Sequence, residues 1–569
     1  MKKVLNKLLF LVISISIVFI ALFNVFEPIL KTNSLIFPFA VHPFDIVKVY
    51  PETWNLLKSF YFISSFFSFL ILFNKLFNIL YSIFPEIKPI YKRTFSPNKD
   101  ELSLLLGTES NIPISISEKG LYQNILITGT IGTGKTSSAM YPFTKQLIEY
   151  KSSDPLEKLG ILILDVKGNY FNQVVKFAAD CNRLKDIIGI DLSANIKYNP
   201  LDKPNLSPIV LANRLKTILT LFSPNNSESY WLDKVEQILA ESIKFCRLYN
   251  NGYVTFSEIH KLIMFPEYYS EKISITKKIF TSGKYTDQEV YDLLTCIDFF
   301  EKEFFSLDNR TISILKSEIS RITNIFVSDY KVSKTFCPPK SEINFDGFKN
   351  ALDFGKIVVL NMNIAEYKNL SKIIAAYLKL DFQTEVMSRL SPENQIRKSV
   401  FISDEFHEYV TSTDADFFAQ SREAKCINIV ATQSYTSIKN SLKDETTTKV
   451  ILQNLINKLW FRTDDIFTIE EAQKQIGKEE KEKISTTISE NAKETKLNFI
   501  TNNLISKDSS VSESYNKYTQ NDYIYDTKFF SQDLETFTCL SFISNGLKIL
   551  EPKKLQMIPY YTNEIYRKD

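Results

Sequence analysis

The sequence predicts an α/β fold in which a mostly parallel sheet carries helices on both faces. Short apolar runs typical of buried strands recur in two separated stretches, with helical segments such as residues 169–180 and 369–390 between them. Strands that alternate with helices favour a parallel sheet, because each helix returns the chain to the start of the next strand. The predicted strands are residues 125–128, 161–165 and 187–191 in the first stretch, and 357–361, 400–403, 427–432, 458–462 and 539–543 in the second.

The stretch between the two sets of strands follows a different pattern. It shows helical periodicity and few strand signals. The predicted helices are residues 209–221, 231–249, 287–305 and 310–326. We therefore predict an all-α domain, residues 206–345, inserted between two parts of the α/β domain at residues 93–205 and 346–569.

The N-terminal region predicts a membrane anchor, residues 1–92. Residues 8–26 carry no charge and are long enough to cross a bilayer, and a second span is placed at about residues 59–80. Basic residues before the first span and after the second predict that both ends face the cytoplasm, with an outer loop at residues 27–58. We expect a multi-pass protein of the inner (cytoplasmic) membrane with most of its chain in the cytoplasm. The alternatives are a cleaved signal peptide for the first span and an apolar core helix for the second.

The overall composition excludes some functions and leaves others open. A net charge of +3 is too mild to indicate nucleic-acid binding by itself. Six scattered cysteines without a C-x-x-C pair and three dispersed histidines argue against a zinc site and against a Ser-His-Asp hydrolase. Residues 478–526 are polar and rich in Lys, Glu, Ser, Thr and Asn, which predicts an exposed, partly flexible insertion.

A glycine-rich loop follows the first predicted strand and precedes a predicted helix at residues 135–150. It fits the phosphate-binding pattern G-x-x-x-x-G-K-[ST]. In such a loop the backbone N–H groups and the lysine bind phosphates, and the final hydroxyl binds Mg²⁺. The alternative is a chance glycine-rich turn. The predicted nucleotide-binding residues are Gly129, Thr130, Ile131, Gly132, Thr133, Gly134, Lys135 and Thr136.

A second acidic element is needed for hydrolysis, and the end of the predicted strand 400–403 supplies one. Asp404 is predicted to serve Mg²⁺, directly or through its bound water, and Glu405 to act as general base. The alternative is that both only cap the strand end. The segment from Asp165 to Gly168, Asp-Val-Lys-Gly, also ends a strand; it either lines the nucleotide site or organises a strand-to-helix turn.

Two further residues surround the predicted strand 427–432. Gln433 follows this strand and is predicted to sense the γ-phosphate or to hold the attacking water. Arg422 is predicted on the helix before it, where it could reach a neighbouring subunit's nucleotide and stabilise transition-state charge. The alternative for Arg422 is a surface salt bridge.

Taken together and in order, these motifs resemble the type IV secretion coupling proteins of bacterial conjugation, the TraD/TraG group. The resemblance runs over nearly the whole chain, and Val166 departs from the proline that the family carries there. The segments that carry it are the two N-terminal spans, Gly129 to Thr136, Pro142 in the following helix, Asp165 to Gly168, Asn199-Pro200-Leu201, Asp404-Glu405-Phe406, Arg422 to Gln433-Ser434-Tyr435, Trp460-Phe461-Arg462 and Gln475 to Lys478.

The resemblance implies a membrane-anchored RecA-like P-loop ATPase, a homo-hexamer that uses ATP and Mg²⁺. Its implied partners are DNA with a bound relaxase, or a protein substrate, and the components of a type IV secretion channel. It also implies an all-α domain between the nucleotide-binding motifs, a finger role for Arg422 and a site role for Gln433. The alternatives are a DNA translocase of the FtsK-like or packaging kind, and a nucleotide-gated membrane receptor without hydrolysis.

Overall fold

The computed structural model of the protein describes residue 52 and residues 101–562, apart from residues 166, 194, 223–228, 282, 284, 391–396, 491–494, 499–502 and 507–510. Both predicted membrane spans, residues 8–26 and 59–80, lie outside the described residues. Within the described part of the chain, no helix has the length and apolar character needed to cross a bilayer.

One large mixed sheet forms the centre of the fold. In the described residues it contains eleven strands in the order β2-β1-β15-β14-β9-β3-β8-β7-β4-β6-β5. The strands are β1 (Ser103–Glu109), β2 (Ile112–Ser117), β3 (Ile125–Thr128), β4 (Gly160–Leu164), β5 (Ile187–Ile190), β6 (Ile357–Leu360), β7 (Ser399–Ser403), β8 (Cys426–Thr432), β9 (Asn457–Phe461), β10 (Lys478–Glu490), β11 (Thr495–Asn498), β12 (Asn503–Ser506), β13 (Val511–Tyr523), β14 (Thr538–Phe542) and β15 (Lys553–Met557).

The seven neighbouring strands from β9 to β5 run parallel, which confirms the predicted mostly parallel sheet. The other side of the sheet is antiparallel, because β14 pairs antiparallel with β9 and β15, and β1 pairs antiparallel with β15 and β2. The strand predicted at residues 539–543 is therefore not one of the parallel strands. No helix separates β14 from β15, and a short connection without a crossover joins strands in antiparallel order.

The helices are α1 (Glu118–Leu121), α2 (Tyr141–Glu149), α3 (Tyr170–Asp180), α4 (Pro208–Thr220), α5 (Ser229–Tyr249), α6 (Phe256–Met264), α7 (Pro266–Phe280), α8 (Asp287–Asp298), α9 (Asn309–Thr323), α10 (Ile325–Ser328), α11 (Tyr330–Phe336), α12 (Phe348–Asp353), α13 (Ile364–Tyr367), α14 (Asn369–Ser388), α15 (Asp414–Gln420), α16 (Tyr435–Leu442), α17 (Glu445–Asn454) and α18 (Ile466–Ile476). Short π-helical segments occupy Thr136–Met140, Phe299–Phe304 and Phe529–Asp533.

Every element described between β5 and β6 is helical, and local sequence signals explain where several of these helices begin. Thr255 and Glu258 form a capping box at the start of α6, and Thr286 and Glu289 form another at the start of α8. The carboxylate of Asp308 accepts two backbone N–H groups at the start of α9. Such caps bind N–H groups that have no partner within the helix.

Apolar residues on the two faces of the central strands enter two separate cores. Leu126 and Leu162 face the core that also contains the helices between β5 and β6. Ile125, Ile127 and Ile161 face a second core, which contains α2 and α3. Alternate side chains of a strand point to opposite faces, so each buried strand contributes to both cores. The helical insertion and one face of the sheet therefore share a continuous hydrophobic core.

The polar segment predicted as a flexible insertion contains strands. β10 and β13 form an antiparallel ribbon from the pair Lys478–Tyr523 to the pair Glu490–Val511, and β11 pairs with β12. The backbone pairing of such a ribbon does not depend on apolar side chains, and the sequence of β10 lacks the apolar alternation that marks a half-buried strand.

Candidate active site

Four neighbouring parallel strands, β3, β8, β7 and β4, end at the same edge of the sheet. Their registers pair Thr128 with Thr432, Val430 with Ser403, and Ser403 with Leu164. The residues that directly follow these strands are Gly129, Gln433, Asp404 and Asp165. The fold thus brings the predicted phosphate loop, both acidic elements and the predicted glutamine to one edge, where α/β sheets bind their ligands.

The phosphate loop turns tightly after β3. Gly132 and Gly134 have φ angles of 80° and 95°, a backbone region that favours glycine. The buried Lys135 ammonium donates hydrogen bonds to the carbonyl oxygens of Gly129 and, at 3.2 Å, Thr130. Burial lowers the pKa of Lys135, and the nearby carboxylates of Glu405 and Asp404 oppose this shift. The loop therefore fixes the positively charged Lys135 side chain at the start of the following helix.

The proline in that helix lies at a change of helix type. The helix begins with the π-helical turn Thr136–Met140, and Pro142 lies in the first turn of α2. Proline has no N–H, so it cannot donate to the preceding turn. The carbonyl of Ser137, five residues earlier, accepts the N–H of Tyr560 at 2.9 Å instead. The missing N–H of Pro142 therefore leaves no carbonyl of the preceding turn without a partner at this position.

The side chains of Thr136 and Asp404, the two predicted magnesium ligands, are in direct contact. The Thr136 hydroxyl donates to Oδ2 of Asp404 at 3.0 Å, and the Asp404 backbone N–H donates to the Leu164 carbonyl at 3.0 Å. Burial raises the pKa of Asp404 to about 6, with a further contribution from Glu405, and the Thr136 hydroxyl and Lys167 oppose this. A hydroxyl and a buried carboxylate are suitable oxygen ligands for a hard divalent cation.

Glu405 is held in an unusual backbone conformation. Its φ of 50° and ψ of 48° lie in the left-handed region, which costs a non-glycine residue about 1–3 kcal/mol. Its side chain is only 8% exposed, and Oε1 accepts a hydrogen bond from the Lys167 ammonium at 3.1 Å. Oε2 is buried and has no hydrogen-bond partner among the described residues. One carboxylate oxygen is thus fixed, and the other is left available to accept a proton.

Of the two roles that the sequence left open for the segment from Asp165 to Gly168, the structure shows the organisation of the strand-to-helix turn. The Asp165 carboxylate accepts the backbone N–H of Lys167 and that of Tyr170, each at 3.1 Å, and so organises the turn into α3. Lys167 reaches from this turn to Glu405. Burial alone would lower the pKa of Lys167, but Asp404 and Glu405 outweigh burial and raise it.

His407 is a residue of this site that sequence reasoning missed. Its Nδ1 lies 3.7 Å from Oε2 of Glu405 and 3.2 Å from the Thr432 hydroxyl. Burial lowers the pKa of His407, and Glu405 and Glu408 only partly oppose this, so the ring is neutral at physiological pH. The ring lies between Glu405 and the end of β8, next to Gln433. The sequence feature that could have identified His407 is its position two residues after Glu405.

Arg422 lies apart from the other predicted residues. It is exposed and sits in the turn between α15 and β8, not on a helix as predicted. Because β8 has seven residues, Arg422 and Gln433 are roughly 20 Å apart, at opposite edges of the sheet. The helix ends at Gln420 since the chain must turn to enter β8. Arg422 therefore cannot complete the site of its own subunit.

Two segments that follow β9 and precede β14 bind the phosphate loop from outside, and the sequence predicted neither contact. The carbonyl of Arg462, directly after β9, accepts the N–H of Thr130 at 2.9 Å. The N–H of Phe537, directly before β14, donates to the carbonyl of Thr133 at 3.1 Å. The ring of Phe537 packs against Gly134, where an added Cβ would lie 2.4 Å from Cδ1 of the ring.

Comparison with known proteins shows what part of this chain is similar to. Residues 345–514 match the model of the type IV secretion-system coupling protein DNA-binding domain. The resemblance to the type IV secretion coupling proteins is confirmed. The matched region contains Asp404, Glu405, Arg422 and Gln433. No curated protein gives a significant match to the chain.

Solved structures of a coupling protein have the same fold. One is the plasmid coupling protein TrwB in complex with the non-hydrolysable GTP analogue GDPNP, at a TM-score of 0.53 and 12% identity over 79% of this chain and 89% of that chain. Another is TrwB in complex with ADP and Mg²⁺, at a TM-score of 0.52 and 13% identity over 80% of this chain and 88% of that chain. At this identity the likeness shows a shared RecA-like fold.

Proposed function

We propose that this protein is a P-loop ATPase that couples ATP hydrolysis to the delivery of a substrate to a type IV secretion channel. The observation that carries the proposal is the 3.0 Å hydrogen bond between Thr136 and Asp404, with Glu405 beside it. That pairing joins the end of the phosphate loop to an acidic strand end, which is the arrangement that P-loop ATPases use. A chance glycine-rich turn would have no reason to meet a buried carboxylate pair.

The residues present fit ATP and Mg²⁺. The backbone N–H groups of the phosphate loop and the Lys135 ammonium suit the β- and γ-phosphates, and the Thr136 hydroxyl and Asp404 carboxylate suit the cation. TrwB, whose fold this chain shares, has been solved with ADP and Mg²⁺ and with an ATP analogue. When bound, Mg²⁺ supplies charge neutralisation for the phosphates.

The protein's own groups would then carry out hydrolysis. Glu405 accepts a proton from the attacking water through its unpartnered Oε2, while the Lys167 ammonium holds Oε1 in place. His407 limits the movement of Glu405 toward β8. Gln433, at the end of that strand, is suited to hold the water or to respond to the γ-phosphate.

The position of Arg422 is consistent with a ring of subunits, which we propose as the assembly. Its guanidinium lies at the far edge of the sheet from its own phosphate loop, so a finger role requires a site on a neighbouring subunit. A homo-hexamer satisfies this requirement, because each subunit offers one edge to each neighbour. Closed rings of this kind also provide a central path for a translocated chain.

The substrate proposal rests on the family match. The matched model is described as a DNA-binding domain of coupling proteins, which favours a relaxase–DNA complex over a protein substrate. The uncharged stretch at residues 8–26 and the second apolar stretch at residues 59–80 support anchoring in the cytoplasmic membrane, with the catalytic body on the cytoplasmic side.

The test is the ATPase rate of the full-length protein in detergent, with and without single- and double-stranded DNA. We expect DNA to raise the rate several-fold, and DNA transfer between cells to be lost in Lys135→Ala. A rate that DNA leaves unchanged would contradict DNA as the substrate. If Lys135→Ala impairs chromosome segregation and leaves DNA transfer between cells intact, a translocase of the FtsK-like kind would be favoured instead.

A further inference from the structure

Phe537 occupies a particular place along the edge of the sheet. It lies directly before β14, and β14 runs antiparallel to β9, so Phe537 emerges at the same edge as the phosphate loop. The order β14-β9-β3-β8-β7 puts it two strands from β3 on one side, whereas Asp404 and Glu405, after β7, lie two strands from β3 on the other. The acidic residues and Phe537 therefore flank the loop from opposite sides.

The phenylalanine is fixed against the loop. Its φ of 62° lies in the left-handed region, where an aromatic residue is rare. Its N–H donates to the Thr133 carbonyl at 3.1 Å, and its carbonyl accepts the N–H of Met557 at 2.8 Å. The ring packs on Gly134, and the side chain is only partly buried. The surrounding structure thus holds an aromatic ring beside the phosphate loop, with part of it exposed.

A bound nucleoside triphosphate has a direction at this edge. In the proposed function, the γ-phosphate would lie beside Asp404 and Glu405. An α-phosphate held by the N–H groups at the start of the helix, near Ser137, would leave the sugar and base on the side away from β7. Tyr560 is also bound at that point, through its N–H to the Ser137 carbonyl at 2.9 Å. The nucleoside end therefore points toward the side of the loop that Phe537 covers.

We propose that the ring of Phe537 is one wall of the nucleobase subsite, against which the base stacks. This inference rests on the proposed function, since it assigns a residue to the same nucleotide. Stacking on an aromatic ring uses the face of the base and does not read its edge, so it accepts adenine and guanine alike. The ligand class is a purine nucleoside triphosphate, and Phe537 contributes affinity without choosing between ATP and GTP.

The test compares a ligand that has a base with one that has none. The affinities of ATP and of inorganic tripolyphosphate are measured by calorimetry on the full-length protein with Mg²⁺. In Phe537→Ala, we expect ATP and GTP to bind about 5- to 100-fold more weakly, equivalent to about 1–3 kcal/mol of lost stacking. Tripolyphosphate should bind as in the wild type. Phe537→Tyr should restore ATP binding, because its ring has the same face.

Phe529→Ala is the matched control. Phe529 is a partly buried aromatic residue of the same C-terminal region, and its ring packs on Tyr525 and Phe530. We expect it to leave both affinities unchanged. An equal loss of ATP and tripolyphosphate binding in Phe537→Ala would overturn the inference, since the ring would then only support the loop. Unchanged ATP binding would overturn it as well. A wild-type protein that binds neither ligand would instead contradict the proposed function, and the inference with it.

Discussion

Replacing Lys167 with alanine should reduce catalysis without weakening nucleotide binding. Lys167 holds Oε1 of Glu405 at 3.1 Å, and Oε2 has no hydrogen-bond partner among the described residues. Lys167→Ala would therefore leave a mostly buried carboxylate without its ion pair. Without the Lys167 ammonium, neither oxygen of the Glu405 carboxylate would have a hydrogen-bond partner in the described part of the chain to hold it, and the side chain would be free to turn toward solvent. The substitution removes a positioning group and leaves Lys135 and Thr136 intact.

The structure sets the size of the effect. The Lys167 side chain is 55% exposed, so the ion pair adds about 1 kcal/mol or less to the free energy of unfolding. A general base contributes about 100- to 10,000-fold to a rate. A base that is present but poorly oriented loses part of that factor, and we expect kcat to fall about 10- to 100-fold. The loss should remain smaller than that of Glu405→Gln.

The assay is steady-state ATP hydrolysis by the full-length protein, together with direct measurement of ATP binding. Lys167→Arg should recover most of kcat, because a guanidinium can donate to the same oxygen. Lys372→Ala is the matched control, since Lys372 pairs with Glu408, three residues after Glu405. The reasoning is refuted if Lys167→Ala leaves kcat unchanged, or if ATP affinity falls by the same factor as kcat.

Three further predictions concern burial, charge and assembly. Burial lowers the pKa of Lys458 to about 7 from 10.5, so the folded chain binds fewer protons than the unfolded chain between these values, and stability rises with pH there. Lys458→Met should raise the free energy of unfolding above that of the wild type most strongly at or below pH 7. In urea unfolding, this difference between variant and wild type should shrink by about 3 kcal/mol between pH 7 and 9.5. Lys379 Nζ and Asp414 Oδ2 are 2.5 Å apart, and both side chains are fully buried. Lys379→Met should therefore lower the free energy of unfolding by about 3–5 kcal/mol, because it leaves the Asp414 charge buried without its partner. Adding Asp414→Asn should recover part of that loss. Arg422→Ala should abolish hydrolysis while ATP still binds, and mixing it with Glu405→Gln subunits should restore some activity, because some interfaces then carry both intact residues.

Each of these predictions has an outcome that contradicts it. A stability difference for Lys458→Met that does not change with pH would show that Lys458 titrates normally. Equal unfolding free energies for Lys379→Met and the wild type would show that the pair is not isolated from water. Mixed subunits without recovered activity, in a confirmed mixed assembly, would rule out action of Arg422 on a neighbour.

Much of the fold could be predicted because its central strands are short, apolar and separated by helices. The eight predicted strands agree with β3 to β9 and β14 to within one or two residues. The antiparallel side of the sheet could not be predicted in the same way. β2 is a partly exposed edge strand, and β15 is a five-residue strand that pairs with β1, which lies far away in the sequence. Such pairing depends on the assembled core and leaves little local signal.

The candidate site likewise contains residues that could be predicted from the sequence and residues that could not. Residues that belong to a local motif, such as Lys135 and Asp404, could be found from their spacing. Lys167 belongs to the turn motif from Asp165 to Gly168, which the sequence shows, but its contact with Glu405 joins residues 238 positions apart. Phe537 had no signal at all, because its contact with the phosphate loop follows from the antiparallel course of β14. Long-range contacts of this kind require the sheet order.

The most direct test of the account is a single turnover of ATP bound to the full-length protein, wild type against Glu405→Gln. Glutamine has the same shape as glutamate but cannot accept the proton. We expect both proteins to bind ATP with similar affinity, and only the wild type to convert it to ADP at a measurable rate. Conversion at the wild-type rate in Glu405→Gln would show that Glu405 is not the general base. Binding without conversion in both proteins would instead favour a nucleotide-gated receptor.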